Sequence, residues 1–134
     1  MRSRILTALL LLSTSGFVAA DDDDPDQNWV TRSGEYRVSY RSMLEPLAIN
    51  QIHNWVFHIE YAEGGAVDDA TVSVTGGMPE HNHGLPTDPR MTQALGGGDY
   101  VLEGMRFHMS GYWELTVTIV AGGRRDTVVI SLTI

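Results

Sequence analysis

From Tyr112 to Val120 the side chains alternate without a break: Trp113, Leu115, Val117 and Ile119 fall on one side, and Tyr112, Glu114, Thr116 and Thr118 on the other. Successive side chains of extended backbone point to opposite sides, so a period of two marks a strand with one buried face. The pattern recurs along the chain. Between Glu35 and Met43, Tyr36, Val38 and Tyr40 alternate with Arg37, Ser39 and Arg41; after the Glu45-Pro46 break, His53, Trp55, Phe57, Ile59 and Tyr61 share a face; Ala70, Val72 and Val74 alternate through Thr71 to Thr75. Further strands are expected at Tyr100 to Glu103, through Met105 to Met109 beyond Gly104, and from Thr127 to Ile134 after a hairpin at Ala121 to Asp126. No stretch of about ten residues beyond position 20 sustains a helical period. About six to eight short strands with Gly, Pro and Asp turns between them predict an all-β fold, an antiparallel immunoglobulin-like β-sandwich.

The sandwich does not account for the first thirty residues. Arg2 and Arg4 precede an apolar run, Ile5 to Leu12, and Val18-Ala19-Ala20 supplies small residues for cleavage, so residues 1–20 are expected to be a secretory signal peptide. The uncharged stretch is short for a membrane span. Removing 20 of 134 residues leaves 114, a single domain, and takes two arginines away, moving the formal charge from −8 to −10. Residues 21–30 open with Asp21-Asp22-Asp23-Asp24-Pro25-Asp26 and are expected to be an acidic, disordered leader, with the domain at 31–134. Nucleic acid is excluded as a partner, because phosphate binding needs a basic face. The expected location is periplasmic or secreted, and the protein is not expected to be integral to a membrane. With no Cys in the chain, an exported domain of this size must be held by packing rather than by disulfides.

One stretch breaks the alternation. Met78 to Met91 carries His81-x-His83 and three prolines, Pro79, Pro86 and Pro89, between the glycine pairs and triplets Gly76-Gly77 and Gly96-Gly97-Gly98. Each proline fixes φ and removes a backbone donor, so an irregular but ordered loop is expected there, neither helix nor paired strand. On extended backbone two residues two apart share a face at roughly 6 to 7 Å, close enough for His81 and His83 to reach one ion. A second group is Met105-x-x-His108-Met109. Thioether and imidazole donors without thiolate favour copper, Cu(I) for sulfur-rich sets and Cu(II) for imidazoles, over zinc or calcium. The same residues also occur in sandwiches that bind nothing: Met is a common core filler, and His53, on an apolar face, fits a core histidine bonded to a carbonyl. No Gly-x-Ser-x-Gly turn and no Cys nucleophile is present, so the chain is not expected to be an enzyme.

Three motifs together resemble one family. These are Asn50-x-x-His53-x-Trp55, then Gly77-Met78-Pro79-x-His81-x-His83-Gly84-x-Pro86-Thr87-x-Pro89, then Gly98-x-Tyr100-x-x-x-Gly104-x-x-Phe107-x-Met109-x-Gly111-x-Trp113-x-Leu115. The spacing resembles the YtkA-like domain family, whose members are often labelled FixH-like, over about Pro46 to Ile134. The resemblance implies an exported immunoglobulin-like sandwich linked with copper handling or with assembly of copper-containing respiratory enzymes. It carries Met78, His81 and His83 over as motif positions, with His53 and Met109 as completing ligands; His108 is a local addition. The chain departs from the membrane-anchored FixH type in its short leader and resembles the soluble version. The expectation is a periplasmic protein that sequesters copper, or delivers it to an envelope copper-protein client, through this loop. The alternative is a non-metal module docking onto an envelope partner through the same stiff loop.

Overall fold

The computed structural model describes residues 28–134; the expected signal peptide and the aspartate run lie outside them. Nine strands form two antiparallel sheets, packed as the immunoglobulin-like sandwich that the alternation predicts. Strands β1 (Trp29–Val30), β2 (Tyr36–Ser42), β3 (His53–Tyr61), β6 (Arg90–Gly96) and β7 (Asp99–Met105) make one sheet, in the order β1-β2-β3-β7-β6. The other contains β4 (Thr71–Met78), β5 (His83–Gly84), β8 (Tyr112–Ala121) and β9 (Arg124–Thr133), in the order β5-β4-β8-β9. Among the described residues no helix is long and apolar enough to cross a membrane.

Alternation settles which faces meet. Trp55, Phe57 and Ile59 of β3 and Trp113, Leu115, Val117 and Ile119 of β8 are fully buried between the sheets, as their period demands. Two tyrosines spend their hydroxyls tying loops to this core. Tyr36 donates to the carbonyl of Ala121 at 3.1 Å, and Tyr100 donates to that of Val67 at 2.6 Å while accepting from the amide of Ala70. Burial, first among the causes, raises the pKa of both phenols, so they remain protonated donors. Asp126 on β9 receives the backbone N–H groups of Ser33, Glu35 and Thr127, fixing the β1–β2 turn against the far sheet.

Three expectations need correction. Trp29 and Val30, placed in the leader, pair with Val38 and Arg37 as strand β1, because Trp29 finds a ring to stack on in Tyr40 at 5.4 Å. Gly76-Gly77 does not end β4: both glycines stay in the ladder, opposite Leu115 and Glu114. Finally, the Met78 to Met91 stretch is not an unpaired loop. A 3-10 turn over Pro79–His81 folds β5 back onto β4, and Arg90 already begins β6, a strand whose exposed side chains gave no alternation to detect. The prolines break the ladder where expected, but over fewer residues.

Candidate metal centre at one end of the sandwich

At one end of the sandwich β2 joins β3 through residues 43–52, β4 turns back as β5, and β7 crosses to β8 through residues 106–111. The motif residues converge here. The shortness of the β4–β5 connection is what brings the first two together: Met78 and His83 are direct cross-strand partners, so their side chains share the inner face. Two glycines allow the approach. A Cβ on Gly77 would lie 2.7 Å from the His83 carbonyl oxygen, and one on Gly111, whose φ is +131°, would lie 2.9 Å from the Met78 methyl. At Gly77 only backbone could give way, and at Gly111 the positive φ itself disfavours any residue but glycine.

His83 is the centre of the group. Its ring lies 4.6 Å from that of His108, 5.8 Å from that of His81 and 5.9 Å from Trp113, while His108 packs edge-on against Trp113 at 5.6 Å. Trp113 is fully buried and is the floor on which both imidazoles sit; its indole N–H is held by the carbonyl of Met109 at 3.0 Å. His83 Nδ1 faces the Gly84 carbonyl at 3.4 Å, a long contact that the Nδ1–H tautomer would make, with Nε2 then carrying the lone pair. That Nε2 is buried and has no hydrogen-bond partner, and the same holds for His108 Nδ1. Two adjacent imidazoles therefore each present a buried nitrogen with no hydrogen-bond partner from the protein. Such atoms cost free energy unless something satisfies them.

The remaining candidates are placed less favourably. His81 ends the 3-10 turn, and Asn82 at φ +52° separates it from His83, so the two are not neighbours on one extended strand as the spacing suggested. Their rings stack at an interplanar angle of 21°, which leaves their in-plane lone pairs parallel rather than convergent. His81 is exposed at the mouth of the group. His53 is buried, with Nδ1 3.1 Å from the Gln51 carbonyl, and packs on Trp55 and Phe107; Phe107 in turn meets Trp113, so these two rings lie between His53 and the other histidines. Met109 contributes its backbone carbonyl, and its side chain is exposed. His108, an addition from local sequence only, is the residue that completes the cluster. Among the described residues no three His, Cys, Asp or Glu side chains are placed to hold one ion, so a set built here needs a thioether. Met78, buried opposite His83, is the one at hand.

An open groove of about 430 Å³ on the outer face of β4 runs up to this end, lined by Thr75, Gly77, Asn82, His83, Gly84 and Glu114 among others. It exists because Gly77 and Gly84, cross-strand partners, put no side chains on its floor.

A family model described as YtkA-like matches residues 35–118, spanning β2 to most of β8. The chain belongs to the YtkA-like family. Among solved structures this YtkA-like domain is similar to a DUF4426 family protein from Pseudomonas aeruginosa PAO1, with a TM-score of 0.56 at 15% identity, covering 81% of this chain and 96% of that one. The ZirS C-terminal domain matches at a TM-score of 0.45 and 11% identity, over 97% of this chain and 86% of that one. The first likeness concerns the fold alone. No match is found among curated proteins.

Proposed function

We propose that this YtkA-like domain is a periplasmic copper-binding protein that sequesters copper or passes it to an envelope client, with His83, His108 and Met78 as the core ligands and His81 at the mouth. The observation that carries this reading is the pair of buried, unpartnered imidazole nitrogens on rings 4.6 Å apart. The donor set fits a soft ion: two neutral imidazoles and a thioether, with no carboxylate or thiolate, favour Cu(I) over zinc or calcium. Bound copper would supply the missing partner for both nitrogens. Trp113 fixes the imidazole planes, and the exposed His81 at the mouth faces solvent.

Copper uptake by the purified protein tests this. About one equivalent of Cu(I), measured by competition with a chromogenic chelator, is expected for the unaltered chain. His83→Ala with His108→Ala should abolish uptake without unfolding the domain. Retained uptake in the double variant would refute the ligand assignment.

A second reading has its own observation. Of the eight large apolar side chains left exposed among the described residues, Met43, Ile49, Ile52, Met109 and Tyr112 all lie at the histidine-bearing end. Such a grouping favours a docking surface. A partner retained from envelope extract with chelator present, by a protein whose melting temperature copper does not shift, would favour this interaction module over the copper protein.

A further inference from the structure

All three tryptophans of the chain lie in a single file of touching rings that begins at the histidine cluster. Trp113 touches His83 and His108; Phe107 meets Trp113 edge-on at 5.1 Å; Trp55 lies 6.2 Å from Phe107. Beyond it Tyr40 stacks on Trp55 at 4.2 Å and 7°, and Trp29 stacks on Tyr40 at 5.4 Å and 16°. Trp113, Phe107 and Trp55 are fully buried, whereas Tyr40 and Trp29 are half-buried on β2 and the edge strand β1. The file thus runs from one sheet's end, through the core, to the margin of the other sheet.

Indole and phenol give up one electron more readily than imidazole or the Met thioether, and the chain has no Cys to compete. Electron tunnelling weakens exponentially with distance, so rings in contact exchange electrons fast. The indole N–H of Trp113 points at a carbonyl and that of Trp55 has no partner at all, so neither faces a base. Losing an electron therefore leaves a radical cation that keeps its proton and can be refilled by its neighbour. Burial disfavours a charged form, so the positive hole is more stable on half-buried Trp29 or Tyr40 than on Trp113 or Trp55. That difference gives the file a direction, outward from the histidines.

We infer that this file conducts single oxidising equivalents from the histidine cluster to Trp29 and Tyr40, sparing His83, His108 and Met78 from oxidation. In function the inference rests on the copper reading, since the oxidant would arise there from a bound redox metal and a peroxide; conduction itself needs no metal. One electron leaves Trp113 and reduces the oxidant by one. Trp113 is refilled from Trp55 across Phe107, and Trp55 from Tyr40 and Trp29. If Tyr40 is the final donor, its phenolic proton passes to water. A thiol or ascorbate-type reductant in solution returns the electron, and a proton returns from water wherever Tyr40 gave one up.

Because the chain has no Cys, Glu80→Cys allows a ruthenium polypyridyl photo-oxidant to be attached at one defined place beside His81. Flash-quench of the metal-free, labelled protein is expected to give a tryptophan radical signal and, without reductant, oxygen addition at Trp29 or Tyr40 in peptide mass spectra. Both Trp113→Phe and Trp55→Phe should lose the distant modification, each checked for folding by its melting curve; if Trp55→Phe does not fold, Trp113→Phe decides. Distant oxidation that persists in a folded Trp113→Phe variant, or oxidation confined to residues near the label, overturns the inference. Copper with hydrogen peroxide supplies the second arm, where Trp113→Phe should shift modification from Trp29 and Tyr40 onto His83 and His108, and an unshifted pattern counts against conduction in function. Failure of copper to bind would refute the metal reading while the photochemical arm still decides conduction.

Discussion

Asp126→Asn is expected to cost the domain roughly 2 kcal/mol at neutral pH, and the structure gives the reason in some detail. Burial alone would raise the carboxyl pKa. The Thr31 hydroxyl and the N–H groups of Ser33, Thr127 and Glu35 act against burial and prevail, holding the pKa at about 2 against an ordinary 3.8. Ser33 N–H reaches both carboxylate oxygens at 3.0 Å, and Thr127 N–H reaches one at 2.8 Å. A difference of nearly two pKa units corresponds to about 2.4 kcal/mol at ~1.36 kcal/mol per unit. Asparagine keeps one acceptor but turns an N–H₂ donor toward backbone donors, so little is recovered. For a domain near 100 residues this amounts to a drop of about 10 °C in melting temperature. The sign with pH is fixed. A depressed carboxyl pKa contributes stability that is complete above the unfolded value near 3.8 and disappears as pH falls through about 2. Thermal melts of both proteins from pH 7 to pH 2 should therefore converge in acid. Equal stability at pH 7, or a gap that stays constant down to pH 2, would refute the assignment.

Met78→Leu conserves core volume and should cost less than about 1.5 kcal/mol, yet weaken Cu(I) binding by about tenfold or more in chelator competition, since it removes only the sulfur. Gly77→Ala places a methyl against the His83 carbonyl, where only backbone can give way; we expect about 1–3 kcal/mol of destabilisation and displaced His83 and His108 resonances in imidazole NMR spectra. His58, between Asp99 at 2.7 Å and Glu60 at 3.3 Å, titrates above an ordinary histidine: burial pulls its pKa down, but its bonds to the two carboxylates outweigh that. What the raised pKa contributes to stability is present below about pH 6.5 and lost as pH rises through the folded value, and Asp99→Asn should lower the midpoint seen by NMR.

The sandwich was legible because burial imposes its period on sequence. β8 and β3 each expose one face to the core, and their alternation survives in the residues as written. β6 left no such trace, since almost all of its side chains face solvent and its place is set by pairing with β7. Gly76 and Gly77 misled in a different way. Paired glycines usually announce a turn, but here they stay paired with Leu115 and Glu114 and are glycine because a Cβ would meet the Leu115 side chain or the His83 carbonyl. Steric demand from a neighbouring strand is invisible until the neighbour is known.

The site depended on the same kind of information. Residue types pointed to the end of the molecule where His81, His83 and His108 gather, and spacing pointed to His81 with His83, but an i,i+2 rule holds only on continuous extended backbone, which Asn82 interrupts. What brings His108 to His83 is the crossing of β7 to β8 over the end of the sandwich, together with the β4–β5 fold-back that sets Met78 opposite His83. Both imidazoles rest on Trp113, a core residue, and Met78 is itself core. Binding and folding therefore share residues, so occupancy of the proposed site must raise stability by mass action: about 2.7 kcal/mol at a free metal concentration a hundred times Kd. A protein whose copper affinity is high but whose melting temperature ignores copper would have to bind the ion somewhere other than against this floor.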